Sequence, residues 1–399
     1  MQTELHSDIA GSADGERALS ILRACVHCGF CNATCPTYQV TGDELDGPRG
    51  RIYLIKEMLE EGSANQVAER HLDRCLTCRA CETTCPSGVA YGELLEVGRE
   101  LVERDRRRGP FASFLRGWLL SVVPHPRRFR RWALLGGWFR WLLPARLGAA
   151  VPKVTAERPV SPTGASQRVL VLQGCVQRTA TPDVNIALTG LLNDRGYDVV
   201  YAAEEGCCGS LNLHLAEKDR ALADARCLLD AVGAHLDSVE AVISTASGCG
   251  VTLKDYPRLL EGDAAYADGA RALAEKLCDA AEFLASGDFG FERAFDGSRV
   301  AWQAPCTLQH GQRITGKVEQ VLSSAGYELV PVADPHLCCG SAGTYSILQP
   351  DLAGELRRRK LGALCAQEPD VIATANVGCQ THLAAASRVP VRHWLELLR

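Results

Sequence analysis

Cys25, Cys28, Cys31 and Cys35 are followed by Pro36, and Cys75, Cys78, Cys81 and Cys85 by Pro86, so the run C-x2-C-x2-C-x3-C-P is written twice. Two-residue spacings let three thiolates wrap one cubane iron–sulfur cluster, while the turn before proline carries the fourth away to the other. The spacing therefore predicts two [4Fe–4S] clusters with crossed ligands. Cys25, Cys28, Cys31 and Cys85 are expected on one, and Cys75, Cys78, Cys81 and Cys35 on the second. Structural zinc is the alternative, since it too takes C-x2-C pairs and four sulfurs. It has no use for two copies of a four-thiolate run that ends in proline.

A second set of cysteines recurs in register. Cys175, Cys207, Cys208 and Cys249 map onto Cys306, Cys338, Cys339 and Cys379 with offsets of 131, 131, 131 and 130 residues, which is an internal duplication. The pairs stand in EEGCCGS and LCCGSAG, where the glycine permits a tight turn or close approach to a ligand. Each set is a candidate additional metal site, with buried inert thiols or a transient disulfide as the alternative. Cys227, Cys278 and Cys365 are solitary in helical or alanine-rich surroundings and read as core residues. His310, His336 and His382 lie near the second set and could ligate metal or relay protons, although a lone histidine usually does neither.

The elements that must position these residues follow from the texture between them. At 399 residues the chain exceeds one ordinary core, and four segments are expected: 1–105, 106–160, 161–290 and 291–399. The 39 residues between Cys35 and Cys75 exceed what a minimal ferredoxin needs. Within them DGPRGRIYLIKEMLEEG has Pro48 at a helix start, Ile52, Ile55, Met58 and Leu59 at helical spacing, and Gly62 as a stop. An α-helical two-cluster ferredoxin domain is the predicted class for the first segment. Residues 106–156 contain no Asp or Glu, and 111–147 hold seven Arg together with Trp118, Trp132, Trp138 and Trp141. Pro124 and Pro126 should break this stretch into a hairpin of two amphipathic helices. Beyond it, RVLVLQGC, YDVVYA and AVISTASGCG alternate with helical stretches and return as RVAWQAPC, YELVPVA and VIATANVGCQ. These are duplicated α/β units, with each cysteine set near strand ends, where open sheets bind ligands.

Composition removes other classes. The net charge of −5 gives no global basic field, so nucleic-acid binding has no compositional support. Nineteen clustered cysteines behind an acidic N-terminus that lacks a secretory apolar run predict a reducing, cytoplasmic setting. No stretch of about 20 apolar residues predicts a membrane span. Neither a G-x-G-x-x-G opening a helix nor a phosphate loop is present, so hydride chemistry is expected on another chain. In the acid-free stretch, the four Trp could sit at lipid headgroups while Arg127, Arg128, Arg130 and Arg131 meet anionic lipid. Packing on the chain's own domains or on a flavin subunit is the equal alternative.

Taken in order, RACVHCGFCNATCPTYQVTGDELDGPRGRIYLIKEM, DRCLTCRACETTCPSGV, GCVQ, GCCG, ASGCG, PCTLQHGQ, HLCCGSAGTY and TANVGCQTHL resemble the iron–sulfur subunits of glycolate oxidase (glycolate dehydrogenase) over nearly the whole chain. The resemblance implies an oxidoreductase complex in which FAD-containing glycolate oxidase subunits oxidise glycolate to glyoxylate. Electrons would pass into this chain toward membrane quinone or another respiratory acceptor, at the inner face of the cell membrane, and no catalytic residue is expected here. Similar layouts serve other hydroxy-acid and glycerol-3-phosphate dehydrogenases and heterodisulfide reductase, so fold alone does not choose the substrate. The repeats close on Cys249-Gly-Val-Thr and Cys379-Gln-Thr-His, where the wider family often has C-x-x-M, which leaves a further cluster in them open.

Overall fold

The computed structural model describes residues 2–106, 108–139, 141, 154, 164–287, 289, 291 and 297–399. The expected boundaries after 160 and 290, and residues 140 and 142–147 of the predicted hairpin, lie outside these described residues.

Four principal helices, Ala13–Ala24, Pro48–Glu61, Gln66–Asp73 and Tyr91–Asp105, frame the first two cysteine runs. Each starts or stops for a local reason. Ser12 accepts from the Gly15 N–H at 3.0 Å and Asn65 from the Ala68 N–H at 2.9 Å, satisfying otherwise orphaned donors. Pro48 opens the insert helix, and Gly62 ends it at φ 71°. Ile52, Ile55, Met58 and Leu59 are all buried in the core of this helical unit, as their spacing requires.

Helices Pro110–Val122 and Pro126–Trp138 form the hairpin, broken at 123–125 and closed by an edge-to-face Trp118–Trp132 contact at 5.6 Å. Arg116 ties it to the helical unit through Asp73 at 3.0 Å and Glu103 at 2.8 Å.

Each α/β unit contains a four-stranded, wholly parallel sheet. Strands β1 (Gln167–Leu172), β2 (Tyr197–Val200), β3 (Ala241–Ser244) and β4 (Leu277–Asp279) lie in the order β2-β1-β3-β4. Strands β5 (Arg299–Gln303), β6 (Glu328–Val330), β7 (Val371–Thr374) and β8 (Val391–His393) repeat it as β6-β5-β7-β8. The central strands β3 and β7 are buried throughout, which fits their continuous apolar composition. The order places a topological switch point between β1 and β3, and its counterpart between β5 and β7.

The repeats share one core. Val171, Leu188 and Ile243 of the first pack in the same cluster as Trp302, Leu322 and Trp394 of the second. His393 pins the junction, with Nε2 donating to the Thr245 carbonyl at 3.0 Å and Nδ1 accepting from the Leu395 N–H at 3.3 Å. Full burial holds this imidazole neutral, with its pKa down at about 4. Because the folded value lies below the unfolded one, its stabilisation is complete above about pH 6.5 and is lost as pH falls toward 4. Lowering the pH from 7 to 5 should therefore cost about 2 kcal/mol at this residue alone. Urea unfolding of metal-free chain should show a smaller pH-dependent loss in His393→Gln than in the parent.

Candidate metal centres

The first run wraps a cavity of about 440 Å³ lined by Cys25, Cys28, Cys31 and, from the second run, Cys85 together with Cys81. His27, with φ 56°, and Gly29, with φ 81°, adopt the left-handed conformation that turns the loop back on itself. Such strain in a non-glycine residue needs surrounding support, and the His27 ring packs on Tyr53 in a tilted contact with centroids 4.4 Å apart. Both ring nitrogens of His27 are buried without a hydrogen-bond partner, and the ring lines the cavity. An orphaned donor beside four converging sulfurs is what a site for an inorganic cluster would present. Burial, then the neighbouring Cys25, pushes the Cys31 thiol up to about 11, so occupation of the site must displace protons.

The second run has the same backbone, with Thr77 at φ 54° and Arg79 at φ 57°. Cys78 and Cys81 each interact with Cys75 and with Cys35 of the first run, and burial raises Cys78 and Cys81 far above the usual thiol range. The eight cysteines thus gather as two groups, each with three from one run and one from the other. The first is the more open: Cys28 is exposed, flanked by Val26 and Phe30 at 68% and 62% exposure, whereas in the second Cys35, Cys75 and Cys81 are buried and Cys78 is part-buried.

Beneath the second group lies a buried ionic network that the sequence reading missed. Asp46, wholly buried, meets His71 at 2.7 Å, Arg74 at 2.8 Å and Arg51 at 3.7 Å. Arg51 also donates to the His71 carbonyl at 2.8 Å and to Thr37 at 3.1 Å, and reaches the Cys35 sulfur at 3.9 Å. Its position was visible as a signal: Arg51 precedes Ile55 by four residues and Met58 by seven, on the apolar face of the insert helix. Asp43, Asp46 and His71 also bring donor atoms within 4.8 Å of one another. Two guanidiniums already occupy the Asp46 carboxylate, which argues against a cation there.

In the repeats all eight expected thiols converge in two sets. Cys175 and Cys207 lie 3.6 Å apart, and Cys208 is hydrogen-bonded to Cys249. Cys306 and Cys338 lie 3.7 Å apart, and Cys339 and Cys379 3.3 Å apart. All are free thiols in this structure. Bonds from Cys207 and then Cys249 pull the Cys208 thiol well below its ordinary value, making it the readiest thiolate of the first set. Glycine is obligatory after each pair. Gly209 (φ 80°) and Gly340 (φ 89°) each hold a backbone oxygen, of Ala221 and Ala353, 2.8 Å from where a Cβ would stand.

The duplicated sets differ in buried charge, a feature also missed from sequence. Glu205 accepts from the Gln173 and Gly174 N–H groups at 2.8 Å beside the first set. His336 stands at its offset of 131. Beside the second set Lys360 is buried instead, donating to the Asp334 and Pro335 carbonyls at 3.1 and 3.0 Å. Cys78 packs in one apolar cluster with Cys306 and Cys338, so the second ferredoxin group abuts the second repeat.

The remaining candidates are placed elsewhere. His310 bridges Thr83 at 2.9 Å and the His336 carbonyl at 3.0 Å, joining the ferredoxin and second-repeat surfaces rather than facing the thiols. His382 contacts the Ala353 carbonyl at 3.4 Å, and burial lowers it to about 4. Cys278 and Cys365 are half-buried, but Cys227 is exposed on helix Lys218–Leu236, correcting its reading as a core residue. The helix turns its apolar face, with Ala225, Leu228 and Leu229, inward and leaves Cys227 outside. Because both the left-handed φ and the Ala353 approach forbid a side chain, Gly340→Ala should cost more than about 1 kcal/mol. Thermal unfolding should show the loss, with Gly354→Ala, which meets nothing and lies inside a helix, as the control that should not destabilise.

Comparison with known proteins bears on both parts. The family described as 4Fe-4S dicluster domain matches residues 21–89, and the family described as Cysteine-rich domain matches 169–254 and 300–384. The chain thus carries iron–sulfur clusters, and zinc is set aside. It is 48% identical to the glycolate oxidase iron-sulfur subunit of Escherichia coli, over 100% of this chain and 98% of that protein. It is 33% identical to the probable glycolate oxidase iron-sulfur subunit of Bacillus subtilis, over 89% of this chain and 86% of that one. Identity falls to 28%, over 54% of this chain and 41% of the relative, for a subunit of the fumarate reductase (CoM/CoB) of Methanothermobacter marburgensis. At 48% identity over its whole length, and with a dicluster domain followed by two cysteine-rich domains, this chain belongs to the glycolate oxidase iron–sulfur subunit family.

Proposed function

We propose that this chain is the electron-transfer subunit of a flavin-linked complex that oxidises glycolate to glyoxylate, and that it does not oxidise the substrate itself. The observation that carries the reading is the gathering of the eight ferredoxin cysteines into two groups of three plus one. Bound cubanes supply single-electron carriers between a two-electron flavin and a distant acceptor. The chain's own part is to hold and tune. Cys25, Cys28, Cys31 and Cys85 are the ligands proposed for one cluster, and Cys75, Cys78, Cys81 and Cys35 for the other. His27 is placed to donate a hydrogen bond into the first site, and Tyr91 donates to Cys75 at 3.6 Å in the second. The sets Cys175, Cys207, Cys208, Cys249 and Cys306, Cys338, Cys339, Cys379 are proposed as further thiolate sites.

The partners proposed are the FAD-containing subunits and membrane quinone, with the chain cytoplasmic and peripheral on the inner membrane face. Among the described residues no helix is long and apolar enough to cross a membrane. The hairpin supports peripheral contact. Trp138 and Trp141 are 80% and 79% exposed and Phe111 is 76% exposed, in the stretch that also carries Arg127, Arg128, Arg130 and Arg131. Those arginines occupy the first two turns of helix Pro126–Trp138, where the helix dipole disfavours cations. An anionic surface outside the chain would relieve that conflict.

Anaerobically purified chain should contain about eight irons with matching acid-labile sulfide, and more if the repeats are loaded. Cys35→Ser should perturb the paramagnetic signal of the cluster held by the second run, and Cys85→Ser that of the first. Uncrossed effects would sink the ligand assignment, and zinc in place of iron would sink the function. In flotation assays the complex should bind phosphatidylglycerol vesicles more than phosphatidylcholine ones. Changing the four hairpin arginines to glutamine should abolish the difference. If those changes instead release the flavin subunits, the hairpin is a subunit interface.

A further inference from the structure

The two ferredoxin cysteine groups have equal ligand chemistry and unequal surroundings. At the first, the guanidinium of Arg49 lines the site and lies against Gly29. It is about one-third exposed, at 36%, and is neutralised by Glu44 at 2.6 Å, so water and its partner screen it. At the second, Arg51 is 1% exposed and reaches the Cys35 sulfur at 3.9 Å. Its one acidic partner, Asp46, sits 3.7 Å away and is shared with Arg74 at 2.8 Å and His71 at 2.7 Å. Two guanidiniums on one carboxylate leave an uncancelled positive charge. The geometry turns it toward the sulfurs, because Arg51 spends Nε on the His71 carbonyl and Nη2 on Thr37, leaving Nη1 for Cys35.

Burying an unmatched cation is costly unless a negative group stands beside it. A cluster held by four thiolates is that group, and it becomes more negative when reduced. In a poorly screened interior a fixed cation favours the reduced form over the oxidised one.

We infer that Arg51 is a positioning and tuning residue that raises the reduction potential of the second cluster above that of the first, making the buried centre beside the second repeat the deeper electron well. This rests on the reading that Cys35, Cys75, Cys78 and Cys81 hold a cluster. Direction of flow inside the chain follows from charge placement rather than from ligand identity. The exposed first site, at Cys28, becomes the port, and the second, packed on Cys306 and Cys338, the internal station.

The test is a potentiometric titration of the anaerobically prepared full chain with its flavin subunits, followed by electron paramagnetic resonance, after iron and sulfide counts establish that both clusters are present. Arg51→Gln should lower one of the two potentials and leave the other unchanged. Arg51→Lys, which keeps the charge, should restore it toward the parent value. Asp46→Asn, which removes the opposing charge, should move the same potential upward. Opposite shifts from neighbouring substitutions are the signature of charge, since loosened packing would move both variants the same way. Unchanged potentials with both clusters retained, or same-sign shifts in Arg51→Gln and Asp46→Asn, would overturn the inference. If Arg51→Gln loses the cluster, Arg51→Lys and Asp46→Asn decide it. A parent chain without a second cluster would refute the ligand reading instead.

Discussion

Each cysteine group requires four thiols to meet at one point in an apolar interior, where an ionised sulfur is expensive and a neutral one is reluctant to bind metal. Most of the architecture answers that demand. The ferredoxin loops reverse direction through left-handed residues at His27, Thr77 and Arg79, and the repeats through Gly209 and Gly340. Proline closes each ferredoxin run, so that Cys35 and Cys85 leave their own group and join the other. Burial raises the thiols of Cys31, Cys78 and Cys81, which couples the affinity of the sites to the completeness of their enclosure.

The two repeats are joined into one platform. Their sheets pack through a shared core that runs from Val171 to Trp394, and His393 bonds across the junction to Thr245. On this platform the ferredoxin unit is held by contacts to both repeats: Arg79 with Asp255 at 2.6 Å, Tyr345 with the Arg74 carbonyl at 3.0 Å, and Thr83 with His310 at 2.9 Å. The second cysteine run is consequently interior and the first peripheral. Duplication supplies similar thiol sets, and packing makes their environments unequal: Glu205 beside one repeat set, Lys360 beside the other, Arg51 beneath one ferredoxin group.

Much of this was legible from residue order. The spacing of the first eight cysteines implied the exchange of fourth ligands, the constant offset implied the duplication, and the pattern from Pro48 to Gly62 implied the insert helix. Each of these signals is local, because loop closure, helical period and strand length depend on neighbours a few residues apart. The sequence alone thus determined the iron–sulfur chemistry, the repeat architecture and the family. It did not determine that Cys227 faces solvent, that Cys78 lies against Cys306, or that Arg51 is enclosed with half a share of Asp46. Those facts depend on which faces meet after folding, across separations of up to hundreds of residues. A charge on an apolar helix face tells only that something must compensate it; tertiary packing decided that a shared Asp46 and the Cys35 sulfur stand beside it.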